Sequence, residues 1–434
     1  MMYIYRMNKI TTSLACIMLT ICTFAQAPGE KCATMTQFNQ RVLNNPEVQT
    51  RMDQTEALTK QWLENHPNAL KKKGNNKSAA SVYIPVVVHV LWNDPIENVS
   101  DAQIQSQIDI LNEDFRLLNA DSLDPSHPFW IYTVDSEIEF CLASVDPNGN
   151  PTDGITRTYT DVVSFTANDE EKFTASGGHD NWDPTQYLNI WVCNLDASGG
   201  TLGYAAFPSD LSANPELDGV VIRYEAFGDI GTAGTGGFTA NDLGRTATHE
   251  VGHWLNLRHI WGDEECGDDF VNDTEIAEGE NYNCPSFPHR PGNLCGSGPD
   301  GEMYMNYMDY VDDYCMNMFT YDQALRMFAA LNTERVGLLT SAGCDLASIV
   351  NSTMNEGNFE ISPNPSNGVF TINSAQNSTI TPVVYNLIGA EVKRFNGINQ
   401  FPYTLDLSDL PNGIYYIKNN RSGKSTTKKI IISK

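Results

Sequence analysis

Positive charge is scarce in this chain. Lys and Arg number 27 against 54 Asp and Glu, a net charge of −27. So acidic a surface repels phosphate, which argues against nucleic-acid binding. Long apolar runs are almost absent as well. The stretch from Ile10 to Phe24 is largely apolar, but it is too short and too quickly followed by polar sequence for a transmembrane anchor. No other stretch approaches membrane-spanning length. The Gly-rich run at 228–237 is not followed by Gly-Lys-Ser/Thr, so it is not a phosphate loop; it is read as a flexible wall beside a cleft. Disorder is excluded too, because 41% hydrophobic and 10% aromatic residues suit a globular chain, and 434 residues suit two or three domains.

What is present centres on one stretch, His249-Glu250-Val251-Gly252-His253-Trp254-Leu255-Asn256-Leu257-Arg258-His259. On a helix, His249 and His253 share one face and can turn their imidazoles to one metal ion. His259 lies six residues further on and joins them only if the helix stops and the chain turns back. Asn256 stands where that turn must occur, and Asn is second only to Gly in tolerating positive φ. Three neutral His leave the fourth tetrahedral position to water, which marks a catalytic zinc site rather than a structural one. Glu250 is placed to reach that water and act as general base.

The surroundings fit an exported precursor. Arg6 and Lys9, the apolar run and Ala25-Gln26-Ala27 make residues 1–27 a secretory signal. Ten cysteines then suit an oxidising compartment. Cys16 and Cys22 leave with the signal. Cys266, Cys284, Cys295 and Cys315 cluster after the zinc motif as disulfide candidates, in any of three pairings. Cys32, Cys141, Cys193 and Cys344 show no obvious partners. Residues 28–80 are polar and helix-prone over Gln37 to Asn65, and they end in a basic run, Lys71 to Ser78, that a trypsin-like protease can cut. That is the form of a propeptide, and Cys32 near its start can place a thiolate on the zinc and hold the enzyme latent.

Residues 81–347 read as an α/β domain, a twisted sheet with a zinc-bearing helix. Val82 to Trp92 is rich in β-branched and aromatic residues and predicts a strand, with Pro85 pointing to a sheet edge. Ser100 and Gln103 form a capping box for a helix whose apolar face is Ile104, Ile108, Leu111 and Phe115. Ile138 to Ala143 and Tyr187 to Cys193 predict further strands. His89, inside a strand, is read as a core or edge residue and His179 as a loop residue, neither a ligand. The zinc helix is expected to start at Asn241 or Asp242. A polar linker at 348–357 leads to residues 358–434, where turns alternate with short strands in the pattern of a small all-β sandwich. From residue 355 onward there are eight Lys/Arg and five Asp/Glu, so this module is electrostatically distinct from the acidic remainder.

The zinc stretch, with Met308 in Met305-Asn306-Tyr307-Met308-Asp309-Tyr310 downstream, resembles the metzincin metallopeptidases, and most closely the pappalysin family. The resemblance covers roughly Val82 to Cys344. It implies zinc on His249, His253 and His259, Glu250 as base, and Met308 as a hydrophobic floor beneath the metal. It also implies Tyr310 as a stabiliser of the tetrahedral intermediate, and disulfides Cys266–Cys295 and Cys284–Cys315. The family usually has Gly where this chain has Asn256. Asp268 to Thr274 resembles the family's calcium loop, which implies Asp269, Thr274 and the Val271 carbonyl as ligands. Some bacterial relatives cut before basic residues by using an acidic residue just after the fourth clustered cysteine. This chain has Met316 there, which puts that preference in question. Ile361 to Gly368, Tyr385 to Ala390, Leu410 to Tyr416 and the Lys428-Lys429-Ile430-Ile431-Ile432 ending resemble the C-terminal sorting domain of the type IX secretion system. That implies export through the periplasm to the medium or cell surface, with the secretion machinery as partner.

The expectation is therefore a secreted zinc endopeptidase acting on protein or peptide substrates. Its rival is a surface binding protein with an inactive or structural zinc site, and a zinc amidase is a weaker third.

Overall fold

The computed structural model describes residues 30–67, 69–70, 81–196, 200–344 and 359–434, apart from 365, 375–380, 387–390, 396 and 422–423. The signal, the basic run at 71–78 and the linker lie outside the described residues. Two helices come first, α1 (Thr34–Asn44) and α2 (Glu47–Asn65). The run of Val and Ile then gives β1 (Val82–Trp92), followed by α3 (Asp101–Phe115), β2 (Ile138–Leu142), β3 (Ile155–Tyr159) and β4 (Leu188–Cys193). Next come β5 (Gly203–Ala205), the short α4 (Pro208–Leu211), β6 (Val220–Arg223), α5 (Arg245–Trp254) and α6 (Tyr321–Asn332).

The strands form one mixed sheet in the order β2-β1-β4-β6-β5, with β3 continuing beside β1. All pairs are parallel except β5 on β6. Both faces of β1 are buried, which is why its sequence shows no polar alternation. Ile84, Val86, Val88 and Val90 join the core beneath α3 and α5, while Leu91 packs with Trp191 and Tyr204 on the other side. On α3, Ile104, Ile108, Leu111 and Phe115 are all buried.

Three sequence expectations need correction. Pro85 does not mark an edge, because β1 is central. Its even-numbered residues turn their backbone toward β2 and β3: Val82 N–H donates to Glu137 O, and Val86 O accepts from Ala143. Pro85 faces the other way, where pairing with β4 begins only at Val86, so its missing N–H costs no ladder bond. The capping box is only half made. Ser100 accepts from Gln103 N–H, but the Gln103 amide donates to Phe227 O and Thr232 Oγ1 instead. Together with Gln107, which accepts from Gly228 N–H, it pins the Gly-rich loop to α3, so that wall is held in place. Finally, α5 starts at Arg245, not at Asn241 or Asp242. Gly244 takes φ 70°, and the cap comes from Asp313, whose carboxylate accepts from Leu243 and Arg245 N–H.

Disulfides join Cys266 to Cys295, Cys284 to Cys315 and Cys141 to Cys344; Cys32 and Cys193 are buried free thiols. The C-terminal segment has two antiparallel sheets of its own. One is β10 (Glu391–Arg394), β9 (Pro382–Asn386), β12 (Gly413–Arg421) and β13 (Lys424–Ile432). The other is β11 (Tyr403–Asp406), β8 (Val369–Ser374) and β7 (Phe359–Ser362). Phe370, Ile372, Val384, Leu405, Ile417 and Ile430 form a core between them. Among the described residues, no helix is long and apolar enough to cross a membrane.

Candidate metal centre

His249 and His253 stand one turn apart on α5, which ends at Trp254. Asn256 takes φ 75°. Its N–H donates to His253 O and that of Leu257 to Gly252 O, the bond pattern of a left-handed helix stop. The chain then returns and brings His259 in. The three Nε2 atoms lie 3.1–3.2 Å from one another. Tetrahedral zinc with bonds of about 2.0–2.1 Å spaces its ligands by roughly 3.3–3.4 Å, so the cradle fits.

The tautomers fit as well. Each Nδ1 faces an acceptor: Tyr307 O for His249, Leu257 O for His253, and Asp263 Oδ1 for His259. Those acceptors hold the proton on Nδ1 and turn three bare Nε2 lone pairs toward one point, an arrangement that only a cation relieves. Trp261 stacks on His259 with ring centroids 4.3 Å apart. Met308 lies beneath the helix, and an added Cβ on Gly252 would fall 2.5 Å from its sulfur. The Tyr307 carbonyl that orients His249 belongs to the same turn.

Residues from the N-terminal segment complete the site. Cys32 Sγ lies within 4.8 Å of a ring nitrogen of each of the three His. Leu202 N–H donates to Lys31 O and Ala33 N–H to Gly203 O, so this strand lies along the edge at β5, parallel to it at the Cys32–Gly203 bridge. Glu250 Oε2 accepts from Cys32 Sγ (3.3 Å) and Thr34 Oγ1 (2.9 Å). Burial pushes the Glu250 carboxyl up to about 8, although those two bonds oppose it. The Tyr310 hydroxyl donates to Cys32 O at 3.1 Å. On the other side of Cys32, Lys31 Nζ lies 3.3 Å from Val311 O and 3.6 Å from Asp312 Oδ1. Burial lowers the Lys31 pKa against the pull of Asp312, Asp313 and Asp309. Met316 is buried in the wall of that pocket, which Asp309 and Asp313 also line.

The residues expected to hold calcium also come together. Thr274 Oγ1 lies 2.8 Å from Asp269 Oδ2 and 3.3 Å from Val271 O, and burial raises the Asp269 carboxyl to about 7. Sequence reasoning missed Thr34, Asp263, Asp313 and the Cys141–Cys344 bridge. Only Thr34, two residues from Cys32, had a local signal. Asp263 lies four residues after His259 but is one acidic residue among many, and Asp313 and the Cys141–Cys344 bridge join parts of the chain far apart in sequence.

Comparison with known proteins places this geometry. A family profile described as Pregnancy-associated plasma protein-A, a peptidase family, matches residues 172–332, and one described as a secretion system C-terminal sorting domain matches 360–433. An extracellular metalloprotease of Arthroderma otae is 30% identical over 277 residues, 62% of this chain and 85% of the relative. Among solved structures, a promirolysin mutant of Tannerella forsythia is 42% identical with a TM-score of 0.62, covering 72% of this chain and 97% of that one. Mature mirolysin of the same organism, in complex with a cleaved peptide, is 46% identical with a TM-score of 0.57, covering 63% of this chain and 99% of that one.

Proposed function

This chain belongs to the pappalysin family of zinc metalloendopeptidases, and from that premise we propose that it is a secreted precursor held inactive by its own residues 28–80. The cradle of three buried Nε2 atoms beside a buried Glu250 carries the reading. Bound zinc would supply Lewis acidity, lowering the pKa of a coordinated water to roughly 7. Glu250 then takes a proton from the attacking water and returns it to the leaving amine. Tyr310 donates its hydroxyl to the substrate carbonyl as that oxygen gains charge. The bond from Tyr310 to the Cys32 carbonyl supports this role, because that carbonyl stands in for a substrate's. Met308 serves as the floor of the site.

Latency follows from the same contacts. Cys32 Sγ takes the fourth position at the metal, and Cys32 and Thr34 occupy the carboxylate that must accept the proton. Promirolysin covers more of this chain than mature mirolysin does, which supports a prosegment ahead of residue 81. The contacts of Lys31 Nζ with Asp312 and the Val311 carbonyl support a basic substrate residue in that pocket despite Met316, although burial works against the charge. Calcium held by Asp269, Thr274 and the Val271 carbonyl braces the loop after the zinc motif, and a cation there suits a buried carboxylate. Residues 360–433 direct export by the type IX machinery and are then removed or used for attachment.

The test is digestion of a diverse peptide library by the activated chain beside Glu250→Gln. Cleavage by the wild type and loss of at least about 100-fold in the variant, with zinc retained, is the expected result. Equal inertness of both with zinc bound would favour the binding protein.

A further inference from the structure

Beyond Cys32, the N-terminal segment also sets side chains against the catalytic domain. From Cys32 the chain turns into α1, and one helical face points at the catalytic domain. Phe38 packs edge-on against Phe207 with centroids 5.9 Å apart, and Phe207 in turn meets the ligand His253 at 5.6 Å. One turn beyond Phe38, the Arg41 guanidinium forks between two carboxylates. Nη1 lies 2.9 Å from Asp210 Oδ2 and Nη2 lies 2.8 Å from Asp169 Oδ2.

The two carboxylates differ in what else holds them. Asp169 also pairs with Lys172 at 2.8 Å, a contact internal to the catalytic domain. Asp210 is 1% exposed, and its Oδ1 has no hydrogen-bond partner among the described residues. The leading positive charges acting on it are Arg41 and Arg51, both on the N-terminal helices. When residues 28–80 leave, Asp210 loses both. Asp210, three residues after Phe207, then lacks the one ion pair it makes among the described residues, and a substrate cation can take Arg41's place.

We propose that Phe207, Asp169 and Asp210 form a substrate subsite for an arginine side chain beside an apolar one, occupied in the precursor by Arg41 and Phe38. The inference rests on the peptidase reading above. It concerns a position reached beyond Thr34, on the opposite side of Cys32 from the Lys31 pocket. Arginine is favoured over lysine because the two carboxylates each take a different nitrogen of one planar fork.

The test uses the full chain, activated by limited trypsin that is then inhibited. A peptide library locates the position remote from the cut at which arginine is enriched. Matched peptides carrying arginine, lysine or neutral, isosteric citrulline there give kcat/KM. The arginine-to-citrulline ratio should be about tenfold or more in the wild type and fall to near one in Asp210→Asn. An unchanged ratio in Asp210→Asn, or wild-type cleavage without a remote arginine preference, overturns the subsite while leaving the peptidase intact. A lysine ratio equal to that of arginine overturns the fork. Total absence of wild-type cleavage sinks the peptidase reading and the subsite with it. In case Asp210→Asn misfolds, synthetic peptide 30–66 with arginine or citrulline at position 41 is titrated calorimetrically into the activated wild type. Binding about tenfold weaker with citrulline supports the site, and equal binding overturns it.

Discussion

At the level of single residues, the site was legible where chemistry demands a fixed spacing. The His249–His253 interval of one helical turn, with Asn256 as a turn residue before His259, needs no tertiary information. Asp263, four residues after His259, orients that ring, but one Asp in a chain so rich in carboxylates carries no mark of its role. Cys32 lies between these cases, because a lone cysteine in a polar segment could equally be a leftover thiol. Its contact with Glu250 gives a sharp consequence. Cys32→Ala removes the thiol from the fourth position proposed for it and one of the two side-chain contacts on Glu250 Oε2. The unprocessed variant should then hydrolyse a fluorogenic peptide at least about tenfold faster than the unprocessed wild type. Equal rates, with the prosegment shown intact by mass spectrometry, would rule out the latch.

Among elements, the strands β1, β2 and β4 were legible because apolar β-branched runs announce them, and β1 spans the predicted residues from end to end, whereas the short β3, β5 and β6 were not read. Helix ends were harder. The start of α5 was sought at Asn241 or Asp242 because caps are normally local, whereas its actual acceptor lies about seventy residues away on Asp313. A cap supplied from a distant loop ties the zinc helix to the segment that also carries Tyr310. Asp313→Ala should therefore cost about 1–2 kcal/mol in urea unfolding, as loss of a helix cap does. Asp313→Asn, which keeps one acceptor oxygen, should cost less. If the two variants lose the same amount, or neither loses any, the cap is not what positions this end of α5.

Across the whole molecule, stability depends on groups far from the metal. The Cys141–Cys344 bridge spans 203 residues and ties β2 to the end of the catalytic domain, a long-range pairing that spacing alone could not reveal. His89 is another such group; the sequence leaves it a core or an edge residue, and the structure puts it in the core. It sits in the central strand, wholly buried, with its ring nitrogens on Thr156 Oγ1 and Asn189 Oδ1, and it stacks on His179 between Trp182 and Trp191. Burial, reinforced by His179, lowers its pKa from 6.5 to about 3, while the bond to Asn189 opposes the shift. A histidine with a depressed folded pKa favours the native state fully above its unfolded value. That contribution is lost progressively as pH falls from about 6.5 toward 3, because the unfolded chain binds the proton first. The slope approaches about 1.4 kcal/mol per pH unit inside that window. His89→Gln keeps a polar side chain facing the same partners but cannot titrate. Urea unfolding of both proteins between pH 4 and 7 isolates the term, since loss of zinc on acidification is common to them. The variant should lose stability less steeply with acid than the wild type, and parallel slopes would mean that His89 is charged, or solvated, in the native protein.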